Sequence, residues 1–218
     1  MQGYAGRSDV VVLGLPRGGV PVAAEVALAL GAPLDAFVVR KLGVPDHAEL
    51  AMGAIAAGGV VVMNPGVVAS LAIPPAAVAE AVARETVEVD RRERLYRGAR
   101  TPPDVGARTV IAVDDGLATG ATMRAAVEAL RAHRPRRVVV AVPVGAATTC
   151  RELRRLADEV VCVLSPDPFD AVGRWYVDFT PPTDDEVVRL TSGSGAGGAT
   201  MLNQRRDVDG PDVFGRGG

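Results

Sequence analysis

The sequence predicts an α/β protein with a central parallel sheet flanked by helices. Two observations carry this. Short β-branched runs alternate with Ala-rich helical runs along most of the chain, the pattern of successive βαβ units. The strand candidates are apolar at nearly every residue rather than every second one, as strands covered on both faces must be.

The elements follow in order. "DVVVLGLP" (9–16) is a buried strand, and "GVPVAAEVALALG" (19–31) is a helix stopped by Gly31, a residue suited to a helix C-terminus. "LDAFVVRK" (34–41) is a second strand and "GGVVVMN" (58–64) a shorter third. Pro74 and Pro75 open a long helix over 74–98, filled by Ala, Val, Glu and Arg. "RTVIAVDD" (108–115) is the next strand, followed by a helix over 121–133. "RRVVVAVPV" (136–144), "TTCRELRRLA" (148–157) and "EVVCVLSP" (159–166) supply strand, helix and the last core strand. Residues 1–190 thus form one domain. "TSGSGAGGAT" and the polar residues after it read as a flexible Gly/Ser-rich tail over 191–218.

Composition bounds the partners. A net charge of −2 gives no general pull toward nucleic acid or anionic lipid. The basic run "RRERLYRGAR" (91–100) is balanced by Glu85, Glu88 and Asp90 and reads as a solvated helix face. No apolar stretch reaches the ~20 residues needed to span a bilayer. No basic segment leads a long apolar run at the start, so no signal peptide is expected. Cys150 and Cys162 match no zinc or redox spacing and read as buried thiols. The expectation is a cytoplasmic protein that acts on small molecules and binds neither nucleic acid nor membrane.

Ligands of open parallel sheets bind beyond the carboxyl ends of the strands. Three predicted strand ends carry unusual residues: "LPRGGVP" (15–21), Arg40-Lys41, and "DDGLATGAT" (114–122). In the last, Gly116, Ala118, Gly120 and Ala121 leave the backbone bare, and Thr119 and Thr122 add hydroxyls. The loop enters a helix N-terminus, where free N–H groups and the dipole favour a phosphate. Asp114 and Asp115 would repel that phosphate, so they must face sugar hydroxyls or a hydrated Mg²⁺. A ribose 5-phosphate unit meets both demands. Arg17 with Gly18 and Gly19 makes a second plausible anion nest.

"VIAVDDGLATGATM" resembles the diphosphate-sugar signature of type I phosphoribosyltransferases, and the similarity runs over about 9–190. The resemblance implies a Rossmann-like parallel sheet with a small C-terminal hood, and a homodimer. It implies a glycosyltransferase of the pentosyl class, using 5-phosphoribosyl 1-diphosphate with Mg²⁺ and releasing pyrophosphate. Asp114 and Asp115 would bind the ribose hydroxyls, directly or through the metal, and residues Ala118, Thr119, Gly120, Ala121 and Thr122 would wrap the 5-phosphate. Arg17, Gly18 and Gly19 correspond to the pyrophosphate loop, in which an often cis peptide presents N–H groups to the diphosphate. Arg40 and Lys41 resemble a basic pair that also reaches it. Residues 42–59 correspond to a mobile loop that closes over the reaction; within it Glu49, more than His47, is a candidate acid or base. Asp114, Asp115, Arg17, Lys41 and Glu49 make up the implied catalytic set. The hood corresponds to 165–182 and concentrates Phe169, Trp175, Tyr176 and Phe179 in a chain that is only 4% aromatic. Phe169, Trp175 and Tyr176 are the candidates for stacking on the acceptor, with a small satellite core as the plainer role of such rings.

The sequence departs from the family pattern at Ala118. Enzymes for 6-oxopurines usually hold an Asp there, so Ala argues against such a substrate. The first strand also starts about nine residues in, where related chains commonly carry a helix first. A non-catalytic sensor of the same diphosphate sugar, or another ribose-phosphate enzyme on this scaffold, is the competing reading.

Overall fold

The structure, a computed structural model, describes residues 1–45 and 47–193. Its centre is a five-stranded, all-parallel sheet of β1 (Val10–Gly14), β2 (Leu34–Ala36), β6 (Thr109–Val113), β7 (Arg137–Val144) and β8 (Glu159–Leu164), in the order β2-β1-β6-β7-β8. Strands β1 and β6 pair in register from Val10 opposite Thr109 to Gly14 opposite Val113, and all ten residues are buried. Their side chains alternate between two cores. Val10 and Val12 join Ala23, Ala27 and Leu30 of α1 (Gly19–Leu30) on one face. Val11 and Leu13 join Met123, Val127 and Leu130 of α4 (Ala121–Ala132) on the other. Apolar residues at every position therefore follow from helices on both faces. Gly31 ends α1 in the left-handed conformation, at φ 63° and ψ 32°, as its sequence position predicts.

The predicted second strand is two strands in two sheets. The chain leaves β2 at Ala36 and re-enters order as β3 (Val39–Val44), which joins β4 (His47–Ala56) and β5 (Val60–Met63) in an antiparallel sheet ordered β3-β4-β5. Phe37 and Val38 at the junction are buried in different cores, which makes a corner without a polar turn residue. The stretch 42–59, expected as a loop, is largely this hairpin. Its small apolar residues pack: Met52 and Ile55 face α3 (Pro75–Arg97), and Ala54 and Ala56 join the α4 side. At Gly53 an added Cβ would lie 2.4 Å from the Val62 carbonyl oxygen, so β5 lies tight against β4.

Sequence reading also missed two helices. Asn64 caps α2 (Pro65–Ser70) by accepting from the Val67 amide at 3.2 Å. Thr183 caps α6 (Asp184–Thr191) by accepting from the Glu186 amide at 3.2 Å. The Thr-x-x-Glu spacing was a legible start signal. Helix α6 carries the domain past the expected boundary at 190: Thr191 is buried, with its hydroxyl donating to the Val187 carbonyl. The expected tail beyond 193 lies outside the described residues. Among the described residues, no helix is long and apolar enough to cross a membrane. Within the basic run, Arg91 and Arg92 pair with Glu88 at the surface. Arg97, however, is buried against Asp35 and Glu93, so that helix face is solvated only in part.

Candidate functional site

Two loops meet at the carboxyl ends of β1 and β6. The first is Leu15 to Gly19. The Leu15 amide donates to the Val113 carbonyl at 2.9 Å, so this loop starts fastened to β6. The Pro16–Arg17 peptide is cis, and the chain then turns tightly, with Gly19 donating to the Leu15 carbonyl at 3.0 Å. Among the described residues, the amides of Arg17 and Gly18 have no protein acceptor. Gly18 is needed for space: a Cβ there would lie 2.0 Å from Asp115 Oδ2. At Gly19 it would lie 2.7 Å from the Val113 carbonyl oxygen and 2.8 Å from Asp114 Cα. The two loops are packed backbone against acid.

The second loop is Asp114 to Gly120. Leu117 is buried and held at both sides, its amide donating to Val144 at 2.9 Å and its carbonyl accepting from Ala146 at 2.9 Å. Thr149, in α5 (Ala147–Leu153), donates its hydroxyl to the Ala118 carbonyl at 2.6 Å. Gly120 adopts φ 70°, and a Cβ there would meet the Thr149 methyl at 2.5 Å. Ala118 and Thr119 are exposed between these anchors. Among the described residues, the amides of Thr119, Gly120 and Thr122 find no protein acceptor. Unsatisfied amides at a helix N-terminus form an anion site. Ala121 is the exception, donating to Thr119 Oγ1 at 3.4 Å.

The acids between the loops are half-buried. Burial first, then the charge of Asp115, pushes the Asp114 carboxyl well above the usual carboxylate range. The Asp115 amide, donating to Asp114 Oδ1 at 2.9 Å, offsets part of this. Burial likewise raises Asp115, against amide hydrogen bonds that lower it. Among the described residues, neither carboxylate forms an ion pair, and no cluster of three or more His, Cys, Asp or Glu is placed to hold a metal. A cation bound by this pair would need further oxygens from its ligand.

A cleft of ≈ 570 Å³ opens beside the pair, lined by Arg17, Gly18, Asp115, Tyr176, Phe179 and Glu186 among others. The Tyr176 hydroxyl donates to the Asp115 carbonyl at 2.6 Å and fastens the hood to the acid loop. Burial pushes that phenol above its ordinary range. Arg17 lies 4.0 Å from Asp184, whose other neighbour is the buried Tyr96 hydroxyl at 2.7 Å. Burial, and then this hydrogen bond, pushes the Tyr96 phenol up to about 12. A second cleft of ≈ 390 Å³, with Phe37, Arg97 and His133 in its wall, shares no residue with either loop.

The predicted residues therefore divide. Arg17, Gly18, Gly19, Asp114, Asp115 and the 118–122 turn are brought together. Arg40 and Lys41 are not at the end of a parallel strand. They lie within β3, opposite Ile55 and Ala54, and Arg40 pairs with Glu85 of α3 at 2.9 Å. Neither lines the cleft, because the corner at 37–38 turns their strand into the other sheet. Glu49 lies in β4, and its side chain falls outside the described atoms; His47, in the same strand, is exposed. Of the predicted acceptor aromatics, Tyr176 lines the cleft, and Phe169 and Trp175 do not; Phe179 takes their place. The sequence reading missed Thr149, Asp178, Asp184 and Glu186. Only the last two carried a signal, through the Thr183 cap.

Comparison with known proteins gives the family. The family model described as "Phosphoribosyl transferase domain" matches residues 1–178. A Mycobacterium tuberculosis H37Rv protein, provisionally named a phosphoribosyl transferase, is 50% identical over 179 residues, which are 82% of this chain and 40% of that one. The chain thus spans less than half the length of that relative. The crystal structure of TT1426 from Thermus thermophilus is 41% identical with a TM-score of 0.79, and the match covers 88% of this chain and 90% of the other. A local match to the bifunctional protein PyrR of Bacillus pumilus is 43% identical over 58 residues, 26% of this chain and 32% of that one. Fold, loop pair and family match converge, and the chain belongs to the phosphoribosyl transferase domain family.

Proposed function

We propose that this protein transfers phosphoribose from 5-phosphoribosyl 1-diphosphate to a nitrogenous acceptor, releasing pyrophosphate. One observation carries the reading: a half-buried carboxylate pair with no ion-pair partner among the described residues sits between two turns whose amides find no acceptor among those same residues. A single ligand with hydroxyls at its centre and phosphates at both ends satisfies all three. The amides of Thr119, Gly120 and Thr122 donate to the 5-phosphate. The Arg17 and Gly18 amides and the Arg17 guanidinium donate to the diphosphate and stabilise its departure. Asp114 and Asp115 accept from the ribose hydroxyls and orient the ring for attack by the acceptor. They also suit Mg²⁺, a hard cation that takes one or two carboxylates plus substrate oxygens. When bound, the ion supplies positive charge to the leaving diphosphate. Glu49 and Lys41 act from the β3–β4 hairpin if it closes over the site. The free thiols Cys150 and Cys162 fit a reducing, cytoplasmic setting.

The test is to incubate the protein with Mg²⁺, the diphosphate sugar and a panel of bases while monitoring pyrophosphate. Release with at least one base is expected, and Asp114→Asn with Asp115→Asn should abolish sugar binding with the fold intact. Binding without release on any base would favour a sensor of the sugar. The placement of Arg40 and Lys41 outside the cleft makes that second reading worth the control.

A further inference from the structure

The cleft beside Asp115 has walls of two kinds, one apolar and one polar. Its apolar wall is rigid. Tyr176 and Phe179 stand with ring centroids 5.1 Å apart and planes tilted by 44°. The Tyr176 hydroxyl is fixed by the Asp115 carbonyl, and Phe179 is seated on Gly173, where a Cβ would lie 2.7 Å from its ring. Pro21, Val22, Pro181 and Pro182 complete this side. Fixed rings and prolines favour a flat guest over a flexible one.

The polar wall is acidic. Asp115, Asp178 and Glu186 line the cleft, against Arg17 as its one lining cation. Arg17 is itself 4.0 Å from Asp184, so part of its charge is already answered. Hydrogen bonds from the Thr180 side chain and amide hold Asp178 below the usual carboxylate range, which keeps it ionised. Glu186 has only a long pair with Arg189, at 3.8 Å. A guest carrying a carboxylate would enter against three like charges. A guest carrying N–H donors would meet carboxylate oxygens, among them those of Glu186, whose one printed pair is the long contact with Arg189.

We propose that the acceptor site takes a flat ring bearing amino or amidine donors and rejects a ring bearing a carboxylate. This rests on the phosphoribosyl-transfer reading only for what happens to the guest afterwards. The charge selection belongs to the cleft itself.

A matched pair of probes tests it. Benzamidine and benzoate share a shape and differ in charge, so their binding to the full chain can be compared by calorimetry at neutral pH and low salt. Benzamidine should bind at least about tenfold more tightly, a difference of ~1.4 kcal/mol. Asp178→Asn combined with Glu186→Gln should shrink the preference to about threefold or less, with the melting temperature as a check on folding. Equal or tighter binding of benzoate, an unchanged preference in the double variant, or no binding of either probe would overturn the proposal. Binding of the diphosphate sugar, measured on the same sample, reports separately on the transfer reading. A protein that prefers benzamidine and ignores the sugar would keep the first and lose the second.

Discussion

Asp114 and Asp115 are held where their charge costs stability. Both carboxyls are raised, Asp114 the more, chiefly by burial. The folded protein therefore holds more protons than the unfolded chain between the ordinary carboxylate value and the raised ones. The sign follows: stability of the ligand-free protein falls as pH rises through that window and is flat above it. Binding that needs the ionised pair weakens as pH falls through the same window. Asp114→Asn should therefore stabilise the free protein at neutral pH by about 1 kcal/mol, or ~2–4 °C in Tm, while removing sugar binding; calorimetric melting with and without sugar checks both. Gly18 makes a second point at this scale. Its φ of −60° suits any residue, so conformational freedom is not why it is glycine. A Cβ would displace the Asp115 carboxylate. Gly18→Ala should thus leave the melting temperature within a few degrees and weaken sugar binding at least about tenfold, read by titration. The acids and glycines were legible in sequence as a motif, but their mutual contact was not. It joins residues nearly a hundred positions apart.

At the scale of elements, helices packed behind the loops hold them in place. Helix α5 reaches the 118–122 turn through Thr149, which donates to the Ala118 carbonyl. Losing that donor leaves the carbonyl to water and the turn free to drift, so Thr149→Val should cost about 1 kcal/mol of stability. It should also raise the KM for the diphosphate sugar more than it lowers kcat. Thr149→Ser, which keeps the hydroxyl, should restore KM. Long helix α3 and short helix α6 meet through Tyr96 and Asp184, and Asp184 lies beside Arg17. Most elements were readable because helical and all-apolar periods differ. The hairpin at 42–59 was not, because Gly and Ala serve loops and close-packed strands equally well. Its identity is set by β5 and α3 packing against it.

Across the whole molecule, an ion network ties the parallel sheet to the second layer. Asp35, 4% exposed in the middle of β2, accepts from its neighbour's amide and from Arg97 at 3.0 Å, with Arg100 at 3.5 Å. Arg100 in turn donates to the Thr191 carbonyl at 2.7 Å, closing α6 onto the body. Removing Asp35 would leave Arg97 with Glu93 and Arg100 with the Thr191 carbonyl. Asp35→Ala should therefore destabilise by roughly 1–3 kcal/mol, measured by denaturant unfolding. At the opposite edge, β8 leaves Val163 and Leu164 exposed. A homodimer paired through this edge predicts twice the chain mass in light scattering, falling to the single mass in Val163→Lys.

By itself, the sequence determined the parallel sheet, its covering helices and the two Gly-rich loops at the strand ends. Each of these is written in neighbouring residues: uniform apolar runs, Gly31 at a helix end, and the unbroken stretch from Asp114 to Thr122. Only the tertiary structure decided which strand ends share an edge. Arg40 and Lys41 looked equivalent to Arg17 until the buried corner at Phe37 and Val38 sent their strand into the other sheet. Only the tertiary structure, too, made a cleft from Arg17, Tyr176, Asp178 and Glu186, gathered from the first turn, the hood and α6. The physical reason is the same in both cases. Local sequence sets backbone conformation and periodicity, whereas the neighbours across a site follow from how buried surfaces close on one another, which no short window contains.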